Sequence, residues 1–336
     1  PATGGPVGTT GAVQFFFFRT SSGNIGPLTT VNSTNAPVTT TISIIPNVYE
    51  YPGPPGGAFI CSTTPQNFTV TINPTPTVNT ISNQTVCNGL QTNTVNFTGF
   101  VPGTVYNWVN NTPSIGLAAS GSGNIGAFTA TNNGTIPVTA TITVTPSFTN
   151  GGTTCLGTPK TYTITVNPSP TVNTISSQTV CNNSLTAAVN FTGNVPGTVY
   201  NWTNNNTTIG LAAGGTGNIA AFTAINTGLV PVTATITVTP AFTNASVTCT
   251  GSLRTFTITV NPDVFAGTIS GASPLCIGAT ATYSSNGNTG GTWSSSDPSV
   301  ATVNPASGLV TALNAGVTNI IYTINTGCNS PVSAFK

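Results

Sequence analysis

The residues able to do chemistry in this 336-residue chain are few: Glu50, Asp263 and Asp297 as carboxylates, Arg19, Lys160, Arg254 and Lys336 as cations, seven cysteines, and no histidine. Hydrolysis by paired acids needs two carboxyl groups a few ångströms apart, and these three fall in different predicted modules or joints. A serine or cysteine nucleophile needs a neighbouring base, and histidine is absent. Lys160 and Arg254 occupy matching positions at the start of two strands, where a cation meets water. A Lys–Asn isopeptide staple would need an acid beside the lysine, and neither repeat carries one. Calcium takes about six to eight oxygens, several of them carboxylate, so Asp263 and Asp297 could hold one weak ion at most. No catalytic, metal-binding or cofactor-binding residue is assigned, and the chain is read as non-enzymatic.

The cysteines gain meaning only from the internal repeat that positions them. Pro74-Thr-Pro-Thr-Val-Asn-Thr-Ile-Ser recurs as Pro168-Ser-Pro-Thr-Val-Asn-Thr-Ile-Ser, 94 positions later. Cys87 and Cys181, Trp108 and Trp202, Pro137 and Pro231, and Cys155 and Cys249 keep the same offset. A partial copy precedes them, in which Cys61 matches Cys155. These alignments predict four modules: a truncated repeat at 1–74, complete repeats at 75–168 and 169–262, and a different domain at 263–336 whose last strand is incomplete. The expected disulfides lie within modules: Cys87 with Cys155, Cys181 with Cys249, and Cys276 with Cys328, tying loops at one end of each sandwich. Cys61 is left unpaired, its partner expected about 13 residues before Pro1 by the repeat alignment. Such staples imply an oxidising compartment.

The elements that carry these cysteines read as strands throughout. Val138 to Thr145 and Val232 to Thr239 alternate apolar residues with threonine, the period of a strand with one dry and one wet face. Thr161–Val166 and Thr255–Val260 follow the same pattern, and Val189–Thr192 and Val199–Trp202 are predicted strands around an Asn194-Val-Pro-Gly turn. Trp108, Trp202 and Trp293 sit mid-strand, favouring core packing over sugar stacking. Only 2% of residues are charged while 38% are hydrophobic, so Thr, Ser and Asn must face the solvent. With a net charge of +1 and no cluster of cations, nucleic-acid binding has no electrostatic basis. No apolar run approaches the length of a membrane span. The fold class expected is all-β, a tandem array of disulfide-stapled immunoglobulin-like β-sandwiches.

Thr292-Trp-Ser-Ser-Ser-Asp-Pro-Ser-Val-Ala-Thr-Val-Asn with Gly308-Leu-Val-Thr-Ala resembles bacterial immunoglobulin-like domains of group 2. The 94-residue units, with their Asn-Pro-x-Pro-Thr-Val joint, Val-Cys-Asn segment and Val-Pro-Gly-Thr-Val-Tyr-Asn-Trp block, resemble the PKD-like repeats of giant Bacteroidota surface adhesins. Gliding-motility adhesins exported by the type IX system belong to that class. The resemblance implies an extracellular, cell-surface stalk or filament whose partners are neighbouring domains of a longer chain. Two further readings stand beside it: a segment that itself grips polysaccharide or solid surfaces, and a fibre subunit completed by strand donation.

Overall fold

The computed structural model describes residues 30–44, 47–49, 59–62 and 64–336. Glu50, Arg19 and the Cys61 side chain lie outside the described residues. Two compact units divide the chain, Pro1–Pro168 and Ser169–Lys336. Among the described residues there is no α-helix, only two single 3-10 turns at Pro113–Ile115 and Thr207–Ile209.

In the first unit, Val38–Ile44 pairs antiparallel with Gln66–Ile72. Beyond it stands a six-stranded sheet in the order Gln84–Cys87, Lys160–Asn167, Val138–Asn150, Val105–Asn110, Ser120–Ser122, with Thr153–Leu156 hairpinned onto Val138–Asn150. The second unit repeats that sheet as Gln178–Cys181, Arg254–Asn261, Val232–Asn244, Val199–Asn204, Gly214–Thr216, with Val247–Thr250 as the hairpin arm.

Threonine alternation explains the central strand. Ala140, Ile142 and Val144 are fully buried, as are Ala234, Ile236 and Val238. The intervening threonines turn outward and pair across strands, Thr139 Oγ1 lying 2.9 Å from Thr165 Oγ1 and Thr233 Oγ1 2.9 Å from Thr259 Oγ1. Such cross-strand hydroxyl pairs stabilise the wet face without charge. These strands run to 13 residues, past the alternating segment, because the chain continues through Pro146 and Pro240 into the hairpin.

The facing layer is looser than the pattern predicts. Val189–Thr192 does not form a strand; Val189 makes an isolated bridge to Ile219, and Val95 makes the same bridge to Ile125. The Phe191 N–H is taken by the Asn218 side chain at 2.9 Å and that of Phe97 by Asn124 at 2.9 Å, so asparagine replaces part of the ladder. This layer still closes the core: Val189, Phe191 and Ile219 pack with Trp202, Ile236 and Ile258.

Within the second unit, the strands from Ile269 onward form a smaller sandwich of their own, with two- and three-stranded sheets. Thr292–Ser295, Ile320–Ile324 and Val332–Phe335 form one face, and Thr280–Thr282, Leu309–Ala312 and Ala301–Val303 another. Trp293 and Tyr322 pack together in its core, their rings tilted by 43° with centroids 4.7 Å apart. The molecule is therefore all-β, an array of immunoglobulin-like sandwiches with disulfides.

Candidate functional site

The repeat module carries one cysteine at each of its two ends. Cys181 closes the strand Gln178–Cys181, which runs parallel to Arg254–Asn261 and ends opposite Asn261. One step back, Val260 lies opposite Val232, so Cys181 stands level with Pro231 at the trailing end. Cys249 lies opposite Phe242 near the hairpin tip. Those levels are eleven residues apart on one strand, roughly 35 Å at about 3.3 Å per residue. Cys87 opposite Asn167 and Cys155 opposite Phe148 repeat the arrangement.

Backbone packing holds the hairpin cysteine at the leading end. A Cβ on Gly251 would stand 1.7 Å from the Pro170 carbonyl oxygen, and one on Gly157 would stand 1.8 Å from that of Pro76. Only glycine lets the hairpin arm lie on the segment where the chain first enters the module.

This placement overturns the intramodular pairings. A disulfide requires Cα atoms about 4.4–6.8 Å apart, which the two ends of one sandwich cannot offer. Cys181 is bonded instead to Cys328, among the sheets that follow the repeat, at a Cα separation of 5.4 Å. Neither Cys181–Cys249 nor Cys276–Cys328 forms, and Cys155 and Cys276 are free thiols, so Cys87–Cys155 is not formed either. Cys87 and Cys249 are disulfide-bonded. Cys328 is at the leading end of its own domain, since Asp263 bridges to it and the Val264 N–H donates to its carbonyl at 3.0 Å.

Polar side chains latch the same joint. Asn182 accepts the Asn226 N–H at 2.8 Å through Oδ1 and donates through Nδ2 to Asp263 Oδ2 at 2.8 Å. Asn329 donates to the other Asp263 oxygen. Asn226, nearly buried, donates to the Val230 and Val260 carbonyls at 2.8 Å each, which pins the trailing end behind Cys181. In the first unit, Asn73 and Asn150 form a comparable latch: Asn73 Nδ2 donates to the Asn150 carbonyl at 3.1 Å, and Asn150 Nδ2 donates to Asn73 Oδ1 at 2.8 Å. The joint role of these asparagines was not read from the sequence. Its one signal is the Asn-Pro at each module end, followed at Asp263 by one of the chain's three acids.

The remaining chemical candidates are dispersed. Asp297 accepts from the Ser299 hydroxyl at 2.6 Å and the Ser299 N–H at 3.0 Å. These bonds, the hydroxyl first, hold its carboxyl below the usual carboxylate range. Asp263 and Asp297 share no hydrogen-bond partner. Lys160 and Arg254 begin their strands on the exposed surface, as expected from the pattern. Lys336 Nζ donates to the Gly271 carbonyl at 2.9 Å. Trp108, Trp202 and Trp293 are buried, 6–8% exposed, so none presents a ring face to a sugar. Among the described residues no three His, Cys, Asp or Glu side chains converge as metal ligands, and no helix is long and apolar enough to cross a membrane.

No curated protein sequence matches the chain. Solved structures with similarity include the human desmocollin-1 ectodomain at 12% identity, covering 88% of this chain and 64% of that one with a TM-score of 0.28. The chain thus spans less than two thirds of that ectodomain. A protocadherin gammaB7 EC3-6 cis-dimer structure aligns at 11% identity over 93% of each chain with a TM-score of 0.36. Drosophila N-cadherin EC1-4 aligns at 11% identity over 88% of this chain and 81% of that one, with a TM-score of 0.31. Residues 268–332, the region holding Trp293, Asp297 and the Leu309–Ala312 strand, match the family of bacterial Ig-like domains (group 2).

Proposed function

We propose that the chain is a non-enzymatic, load-bearing stalk segment of a long extracellular cell-surface adhesin, serving surface attachment or gliding motility. The observation that carries this reading is the Cys181–Cys328 bond, which spans 147 positions and joins the trailing end of one module to the leading end of the next domain. Tension that enters before Cys181 and leaves after Cys328 crosses the sulfur–sulfur bond. The strands of both sandwiches that lie between them, Val199–Asn204 through Ile320–Ile324, stay out of the load path. At about 3.3–3.6 Å per extended residue, the bond withholds roughly 500 Å of chain from extension. A passive stalk gains from such a bypass, because it keeps its length under pull even when a module opens. An oxidising, extracellular setting follows from the same bond.

Single-molecule pulling on the full chain tests the reading. Oxidised chains are expected to stretch by at least roughly 500 Å less than reduced ones at full extension, because Cys87 and Cys249 are oxidised as well as Cys181 and Cys328. Equal contour lengths with and without reductant would remove the load-bearing role. Retention of the isolated chain on polysaccharide or glass would replace the stalk with a directly adhesive segment, and concentration-dependent polymers would replace it with a fibre subunit.

A further inference from the structure

Three turns in the chain share one hydrogen-bond plan, and two of them carry a disulfide. In the first, the Leu90 N–H donates to the Cys87 carbonyl at 3.1 Å, Gly89 to Ala130 at 2.8 Å, and Ala130 back to Leu90 at 2.8 Å. In the second, Ser184 donates to Cys181 at 3.1 Å, Asn183 to Ala224 at 2.8 Å, and Ala224 to Ser184 at 2.8 Å. The third has Ala279 donating to Cys276 at 2.9 Å, Gly278 to Ala312 at 2.8 Å, and Ala312 to Ala279 at 3.0 Å. The residue two places after each cysteine is left-handed, with φ of +82° at Gly89, +60° at Asn183 and +82° at Gly278. Cys276 is thus the geometric counterpart of Cys181, although no sequence repeat links the two regions. Cys87 and Cys181 are oxidised, whereas Cys276 is an exposed thiol.

A matching half stands in the first unit. Cys155 occupies the hairpin position of Cys249, which is oxidised, yet Cys155 is a thiol. It lines a cleft of about 650 Å³ together with Val70, Ile72, Asn73, Asn150 and Thr153. In module 75–168 the equivalent edge, Ile164–Asn167, is paired in parallel by Gln84–Cys87, which places Cys87 beside Asn167. A strand of that Gln-Thr-Val-Cys type laid along Val70–Asn73 would end with its cysteine beside Asn73, on the cleft that Cys155 faces.

We infer that Cys276 and Cys155 are half-staples of two further joints, each completed by another module of this kind. Cys276 bonds to a leading-end cysteine of the module that docks after it, as Cys181 bonds to Cys328. Cys155 bonds to the turn cysteine of a strand seated parallel to Gln66–Ile72. Each joint forms one S–S bond from two thiols, which lose two protons and two electrons. The acceptor is a disulfide oxidant, reduced to its dithiol by thiol–disulfide exchange. The partners are selected by geometry: a leading-end cysteine for one half, a trailing-turn cysteine for the other.

The test is disulfide mapping of the protein taken from its producing cells, with thiols alkylated before lysis and digestion done without reductant. Expected is the loss of alkylation at both Cys155 and Cys276, with each peptide linked to a cysteine peptide from outside residues 1–336. Alkylated Cys276, or a Cys276–Cys328 link, would overturn the assignment at the trailing half. Alkylated Cys155, or a Cys61–Cys155 link, would overturn it at the leading half. The inference does not depend on mechanical duty: a ladder mapped as expected in a chain that shows no length difference on pulling would retain the joints and discard the stalk.

Discussion

Module 169–262 and the domain that follows it place their cysteines alike on unlike sandwiches. The module hangs its core on a single six-stranded sheet and a 13-residue central strand. The last domain splits its strands among sheets of two and three, and its central strand Ile320–Ile324 is five residues long. Even so, both set one cysteine in the left-handed trailing turn and the other at the leading end, in the connection before the final strand. The difference in sheets beside the sameness in cysteine placement teaches that the staple belongs to the joint. A module can change its interior freely while its two ends keep their chemistry.

The largest expected effect breaks that shared joint. Cys181→Ser removes a cross-link spanning 147 positions, which on the chain-entropy argument stabilises by about 5 kcal/mol. Denaturant unfolding of the full chain, followed by hydrogen exchange resolved by module, should show both 169–262 and 263–336 weakened. Cys276→Ser is the control, and should leave stability within about 0.5 kcal/mol. If Cys181→Ser weakened one region alone, the staple would belong to that region's core and the comparison would fail.

A second pair of substitutions probes the interiors, where the two regions solve one problem separately. Trp202 is covered by Gly215, where an added Cβ would stand 2.6 Å from the ring, and Trp293 by Gly308, where it would stand 3.0 Å from the ring and 2.4 Å from the Tyr283 carbonyl. Gly308 also has φ of +69°. Gly215→Ala and Gly308→Ala should each cost about 2–3 kcal/mol. Because these contacts are internal, faster hydrogen exchange should stay within the substituted region. Spread of the effect across the joint would show that the cores are coupled.

The strands and the core were legible because Thr alternation from Val138 and Val232 states which face is dry, and Ala140, Ile142 and Val144 are buried accordingly. Trp108 and Trp202 were legible for the same reason. The pairing of cysteines was not. The repeat alignment shows that Cys181 and Cys249 recur together but contains no term for the length of the strand between them. Only the register, Cys181 level with Pro231 and Cys249 opposite Phe242, shows that they stand at opposite ends. Likewise the shared turn at Cys276 is invisible to the 94-residue offset, because Ile277-Gly278-Ala279 has little in common with Asn182-Asn183-Ser184 beyond a residue that accepts positive φ. The backbone conformation is the same where the residues differ.

The twin modules offer an internal control for a smaller effect. Tyr162 is 2% exposed and its hydroxyl has no partner, while Phe256 fills the same place one repeat later. Burial pushes the Tyr162 hydroxyl up to about 12. The unfolded chain gives up this proton near 10.0 whereas the folded module keeps it to about 12, so folding stability falls as pH rises through that interval. Module 75–168 should lose stability there through Tyr162, a loss that Phe256 spares module 169–262. Tyr162→Phe should remove the larger part of the loss and raise stability at neutral pH by about 1 kcal/mol. The part left is what burial of Tyr106 contributes in this module, as burial of Tyr200 does in the next. Thermal unfolding of the variant at pH values on both sides of the interval measures both effects. A variant that kept the parent's alkaline decline in full would show that another group sets it.

The smallest expected effect returns to the trailing turn and decides whether its geometry or its residue matters. Asn183 holds φ of +60° where Gly89 and Gly278 hold +82°. A left-handed residue with a Cβ costs about 1 kcal/mol relative to glycine, and asparagine tolerates the region better than alanine. Asn183→Gly should therefore leave thermal stability and the Cys181–Cys328 bond unchanged. Asn183→Ala should cost about 1 kcal/mol and make the bond easier to reduce, since the turn that presents Cys181 is then strained only in the folded joint. Gly278→Ala applies the same strain to the turn of Cys276, where this chain forms no bond. It should cost a similar amount of stability in domain 263–336 while leaving the reduction of Cys181–Cys328 untouched. Titration of the Cys181–Cys328 bond against a dithiol buffer, run on all three variants, separates the cases. If Asn183→Ala and Asn183→Gly gave the same midpoint, the left-handed turn would be incidental to the staple, and the likeness between the two regions would reduce to the positions of their cysteines alone.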